Sequence, residues 1–199
     1  MACTALTKGR GLTCDRIQGG IKYVYFGVYD DFNANADTGE IYGTGIVVAS
    51  GEVTDIEMGV GTGLKRYATP IGTSSLTETL TGTRDTGTIM YAPQLTLVFN
   101  QLTKEDQAEL EKLGKTKVVV FAQLWQQVSS GIDQIVCLGA ANGMYLNSGT
   151  EISGTAWGDQ NGYSLTFDGL ETKPAPMVAA YSTTPFDNGA FTNVSIDID

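Results

Sequence analysis

Short runs of alternating apolar and polar residues, interrupted at close intervals by glycine, dominate this chain and constrain it to β-structure. Threonine is about as abundant as the 25 glycines. Threonine suits a pleated, half-buried surface and glycine supplies tight turns, so the pairing describes many strands joined by short connections. The pattern places strands at 21–28, 41–49, 52–58, 76–83, 88–99, 117–124, 132–139, 163–170 and 191–198. The expected fold class is all-β: mainly β with one short flanking helix, arranged as a β-sandwich or distorted barrel that carries a long polar hairpin or loop arm.

Alternate residues of a strand share a face. Leu95, Leu97 and Phe99 therefore line up together, Leu165 and Phe167 repeat the pattern, and the two faces are expected to meet in the core. Val118 and Val120 oppose Val119 and Phe121, so this strand is apolar on both sides and belongs in the middle of the sheet.

Residues 103–113 break the alternation and read as the helix. Thr103 is a suitable N-cap, Glu105 and Asp106 favour the positive end of the dipole, Lys112 favours the negative end, and Gly114 is expected as a left-handed residue after the last turn. Leu110 and Leu113, with Ala108 at the margin, make only a narrow apolar stripe. The helix should lie on the sandwich with most of its circumference in water.

At 199 residues the chain suits one core with arms rather than two full domains. Hydrophobic residues make up 42% and charged residues 17%, enough burial to offset ordering entropy. The net charge of −10 disfavours a nucleic-acid grip built on phosphate neutralisation. There is no histidine, which removes Ser-His-Asp and Cys-His nucleophiles and histidine zinc sites. Cys3, Cys14 and Cys137 are odd in number with no C-x-x-C spacing, and are expected as thiols in a reducing compartment. The start at Met1 lacks the order of a signal peptide, and no stretch approaches a bilayer span. The expectation is assembly in the cytoplasm, no membrane, no enzyme activity, no cofactor and no metal.

Three constellations invite chemistry. Asp31, Asn33, Asn35, Asp37 and Glu40 alternate as calcium-loop ligands do, but Ala36 stands where the sharp turn needs glycine, Tyr42 stands where the bidentate glutamate belongs, and Glu40 comes two residues early. An Asx-rich turn is the favoured reading. Gly59, Gly61 and Gly63 before Lys65 lack the spacing and the following helix of a phosphate loop. Asp159 and Asp168 could converge as glycosidase carboxylates, and Trp125 and Trp157 could line a sugar face, although no spacing selects a pair.

The segment 59–92 is different. Thr77, Thr79, Thr81 and Thr83 share one pleat face, and Leu76, Glu78, Leu80 and Arg84 share the other, so neither face is apolar throughout. Ordering such a segment costs entropy that its own burial hardly repays, so it is expected either as a mobile surface loop or, the favoured reading, as an interaction arm ordered against another chain. The ends also differ in charge. Lys8, Arg10, Arg16 and Lys22 stand near the start. From residue 150 onward stand Glu151, Asp159, Asp168, Glu171, Asp187, Asp197 and Asp199 against Lys173. In a head-to-tail assembly that asymmetry would steer one subunit onto the next.

The order of elements from Gln94, namely strand 94–99, helix 103–113, strands 117–124 and 132–139, a glycine-rich turn and strand 163–170 closing at Pro174, resembles the bacteriophage tail tube proteins. The hairpin-like 64–92 precedes it where that family carries its inter-subunit loop. The phrases Asn142-Gly143-Met144, Ser153-Gly154-Thr155-Ala156 and Asn161-Gly162-Tyr163-Ser164-Leu165-Thr166-Phe167 are similar to those of phage virion proteins so organised. The resemblance implies a tail-tube-like core at 52–174, an N-terminal extension at 1–51 whose strands join the fold, and a C-terminal extension or arm at 175–199. It also implies hexameric rings whose strands close an inner barrel, stacked into a virion tail through which DNA passes as cargo, with other tail proteins as partners. Related ring or decoration roles (tail terminator, head-tail adaptor, capsid decoration) and a carbohydrate-binding sandwich remain the alternatives. The residues expected at subunit contacts are Lys8, Arg10, Lys65, Arg66, Thr77, Glu78, Thr79, Thr81, Arg84 and Asp85.

Overall fold

The computed structural model describes residues 18–32, 45–83, 85, 87–129 and 131–198. In chain order the elements are β1 (Ile21–Val28), β2 (Ile46–Ala49), β3 (Glu52–Ile56), β4 (Leu64–Ala68), β5 (Ser75–Thr83), β6 (Thr88–Asn100), α1 (Lys104–Leu113), β7 (Val118–Ser129), β8 (Ile132–Leu138), β9 (Met144–Ile152), β10 (Gly162–Gly169), β11 (Met177–Val178) and β12 (Ile196–Asp197). The protein is mainly β. All twelve strands belong to one mixed sheet that is not closed.

The sheet folds over into two layers. β12, β4, β1, β7, β8, β11, β3 and β2 follow one another in the larger layer, and β9, β10, β6 and β5 form the smaller one. Between β7 and β9 the register consists of Val118 against Met144 alone.

β7 pairs with β1 and β8 along its length, the central position that its two apolar faces require. Its even face, Val118, Val120 and Ala122, joins Val24 and Phe26 of β1 and meets Leu95, Leu97, Tyr163, Leu165 and Phe167 of the smaller layer. Its odd face, Val119 and Phe121, joins Tyr25, Ile135 and Cys137 under Ile46, Val48, Val53, Ile56 and Leu64. The faces expected to meet do so side by side: Leu165 pairs with Leu97 and Phe167 with Leu95.

The β2–β3 hairpin turns at Ser50 and Gly51, both at positive φ (55° and 84°), which matches the twist of the flanking strands. α1 starts as the sequence dictates, with Thr103 Oγ1 accepting from the Asp106 amide at 3.1 Å. Its end differs from expectation: Gly114 is the C-cap at φ −65°, in the right-handed region, and donates to Leu110 O. No helix residue is fully buried; Leu110 and Leu113 rest half-buried on the second core cluster.

Three further differences have physical causes. Residues 64–92 do not form one arm. Leu64 is fully buried and β4 pairs with β1 and β12, so only β5 and the start of β6 make the hairpin. β9 is a strand that the alternation did not reveal, because beyond Leu146 nearly all its side chains face water. The strand expected at 191–198 shortens to Ile196–Asp197, parallel to β4. Residues 175–198 lie against the body, where Val178, Tyr181 and Phe186 enter the first core cluster.

Candidate assembly surface

The smaller layer has two long open edges. β5 pairs with β6 on one side and, among the described residues, with no strand on the other. β9 pairs with β10, and after Met144 its other side meets no strand among the described residues. Natural edges are normally shortened, bulged or charged with lysine to prevent pairing. β5 is nine residues long, pairs without a register shift and carries one charge, Glu78; β9 is also nine long and carries one, Glu151, with a single irregularity at Asn147.

The face of this layer turned away from the core is mostly polar. Ser75, Thr96, Thr166 and Ser148 form one row across all four strands. Val98, Ser164 and Thr150 form the next row, and Thr77, Gln94, Asp168 and the exposed Tyr145 the row on the other side. Asp168 is the one charge on these rows, and it is held by Gln94 Nε2 at 3.0 Å and by Asn147 Nδ2. No lysine or arginine stands there.

β6 outruns β10. Its pairing with β10 stops at Gln94, so residues 88–93 continue beside β5 as a two-stranded ribbon that is bridged on its other side at Tyr91. Leu80 (61% exposed) lies opposite Tyr91, and Ile89 (62% exposed) opposite Gly82, on the same pleat face as the core residues Leu76 and Leu95. The core stripe thus runs out onto an exposed ribbon, which reading β5 alone concealed. The ribbon is clamped at its base: Tyr91 and Glu171 exchange backbone hydrogen bonds of 2.9 and 2.8 Å, and Glu78 Oε1 accepts from the Ala175 amide at 2.9 Å.

The opposite end of the four strands carries the β9–β10 loop. Asp159 accepts from the amides of Thr155 (2.8 Å) and Ala156 (2.6 Å), and these bonds hold its carboxyl below the ordinary value. The loop so ordered presents Trp157 fully to solvent.

The expected contact residues are placed as follows. Thr77, Thr79 and Thr81 lie exposed on β5. Asp85 is exposed at the ribbon's turn. Glu78 is engaged with Ala175 in its own chain. Lys65 and Arg66 lie on β4, away from the ribbon: Lys65 pairs with Asp197, and the Arg66 guanidinium stands 4.8 Å from the Tyr23 ring. Lys8, Arg10 and Arg84 lie outside the described residues, as does most of the Asx-rich turn.

Two buried carboxylates belong to the scaffold. Asp133 accepts from Lys22 Nζ (2.7 Å) and Gln123 Nε2 (2.8 Å). Burial works to raise its pKa, but the bonds from Lys22, Gln123 and Gln127 prevail and hold it below the usual range. Glu171, 6% exposed, accepts from the Asn142 amide at 3.0 Å, while its Oε2 has no partner among the described residues. Burial raises its pKa against the pull of the Asn142 and Ala141 amides and of Lys117. The Cys137 thiol is buried and pushed up. The two carboxylates considered for glycoside chemistry, Asp159 and Asp168, stand at opposite ends of β10 and are each engaged locally. The glycines 59–63 lead into β4, a strand rather than a helix. Among the described residues no helix is long and apolar enough to cross a membrane, and no group of three or more His, Cys, Asp or Glu side chains is gathered as for a metal ion.

Compared with family models, with curated proteins and with solved structures, the chain matches none.

Proposed function

We propose that this chain is the subunit of a homomeric ring that stacks into a tube, and that the tube is a bacteriophage tail through which DNA passes. The observation that carries the reading is the four-stranded layer with a long open edge on each side, each with a single carboxylate and no lysine or arginine. β5 of one copy can pair with β9 of the next, a head-to-tail contact that closes a ring when the rotation fits. Each copy then contributes four strands to a continuous wall, and closure removes both edges.

The chemistry of the outward face supports the role. A wall mostly of serine, threonine and glutamine, with Val98, Tyr145 and one aspartate among them and no lysine or arginine on the described rows, stays wet and makes none of the phosphate contacts that would retain DNA. The layer's two ends suit stacking: the apolar ribbon with Leu80 and Ile89 projects from one end, and Trp157 is offered at the other. Exposed tryptophan and ordered apolar ribbons are typical anchors of protein contacts.

A second reading has one observation in its favour. The solvent-facing Trp157 ring would also serve a carbohydrate-binding surface. Amide hydrogen exchange on the purified chain across a concentration series separates the two. Ring formation protects 75–83 and 145–152 together as concentration rises; protection confined to the Trp157 loop, appearing only with added glycan, supports the second reading and contradicts the first.

A further inference from the structure

Between α1 and the smaller layer lies a cavity of about 180 Å³. Its walls include the rings of Phe26, Tyr67, Phe99 and Tyr163, and the helix contributes Asp106 and Glu109. The Tyr67 ring stands 5.5 Å from Phe26 at 81° and 5.5 Å from Phe99 at 46°, so the three rings pack at an angle to one another rather than in a parallel stack along the cavity wall. Tyr163 is 3% exposed, and its hydroxyl has no hydrogen-bond partner among the described residues. A buried hydroxyl left in that state costs free energy that a bound polar group would restore.

The electrostatics have one sign. No lysine or arginine lines the cavity. Glu109 is bonded by Lys112 at 2.5 Å. Asp106 receives only the Thr103 hydroxyl, at 2.6 Å, and forms no ion pair among the described residues. Both phenols titrate above their ordinary value: Tyr67 through burial and then the carboxylates of Glu109, Asp106 and Asp197, and Tyr163 through burial and then Glu151 and Asp106. A cation is therefore the favoured occupant. A hard metal ion is usually held by several carboxylates, and among the described residues no three His, Cys, Asp or Glu side chains gather here for one. Aromatic faces around a carboxylate instead suit a large, weakly hydrated organic cation.

We propose that this cavity binds a small organic ammonium ion of the choline type, with its methylated head against the Phe26, Tyr67 and Phe99 rings, Asp106 as counter-charge and its polar tail on the Tyr163 hydroxyl. The volume agrees: an apolar cavity of about 150 Å³ accommodates benzene, a ligand of similar bulk. The site is independent of ring assembly, since it uses neither open edge.

Calorimetric titration of the purified chain with choline chloride, against sodium chloride as the ionic control and 3,3-dimethylbutan-1-ol as the uncharged isostere, tests the proposal. Choline binds, and the isostere binds about tenfold more weakly or worse, the difference that cation–π and counter-charge attraction supply. Asp106→Asn keeps the backbone N-cap bond and lowers choline affinity about tenfold while leaving the isostere unchanged. Tyr67→Leu keeps apolar volume and also loses choline selectively; thermal melting of each variant verifies the fold. Equal affinity for choline and isostere, absence of choline binding to the folded wild type, or an Asp106→Asn variant that binds choline as the wild type does, each overturns the proposal.

Discussion

Val118 of β7 and Met144 of β9 form a single antiparallel pair, and that pair is the seam between the two layers. Because β9 leaves β7 at once, the smaller layer carries its own two edges instead of burying one in the body. A longer register at this seam would cover the edge of β9 and leave only β5 for a partner. The smaller layer is thus left with an open edge on each side among the described residues, and the proposed ring would pair one with the other.

A charge on the β5 edge should block ring closure. Thr79→Lys places an ammonium among threonines that face solvent in the isolated subunit, so monomer stability should stay within about 0.5 kcal/mol, while pairing with a second copy is opposed. Sedimentation velocity and thermal melting check the two halves. Rings that form as readily as in the wild type contradict the assignment of this edge.

Trp157→Ala separates ring closure from stacking. The residue is at the far end of the wall from the ribbon and belongs to neither edge strand. Rings should persist while stacks shorten or vanish in negative-stain images. Stacks of undiminished length would remove Trp157 from the inter-ring contact.

Glu171 makes the ribbon's base sensitive to pH. Its folded pKa lies above the unfolded 4.5, chiefly through burial. The folded chain therefore holds a proton that the unfolded chain releases, and stability is lost as pH rises from about that value through the folded one. Glu171's contribution to the melting temperature should decline between pH 4.5 and 8, and Glu171→Gln should flatten that decline. Asp133 acts oppositely: its folded pKa is depressed, so its contribution is lost only as pH falls through the folded value, below this window. An unchanged decline in Glu171→Gln refutes the role.

Where burial wrote the pattern, the sequence was legible. β1 spans the expected 21–28 because Val24, Tyr25 and Phe26 face two cores at once, and α1 begins after Thr103 because the cap and the acidic first turn agree. β9 was not legible: Asn147, Ser148, Gly149 and Thr150 carry no apolar alternation, and the strand exists because β10 holds it. β4 is only five residues long, and its Lys65 and Arg66 read as subunit contacts until Asp197 and Tyr23 are placed beside them. The contact surface was partly legible. The threonine face of β5 could be seen alone, but Ile89 and Tyr91 join Leu80 only through the β5–β6 register. The caged cavity draws its rings from β1, β4, β6 and β10, a convergence no local spacing encodes.

Pairing of β5 of one copy with β9 of another is best checked by cryo-electron microscopy of the purified wild-type chain with Thr79→Lys prepared alongside. Wild-type rings should show an inner wall of four strands per subunit joined β5 to β9 across each boundary, and the variant should give lone subunits. Wild-type particles that remain monomeric at every concentration, or rings joined through any other pair of strands, would contradict that pairing.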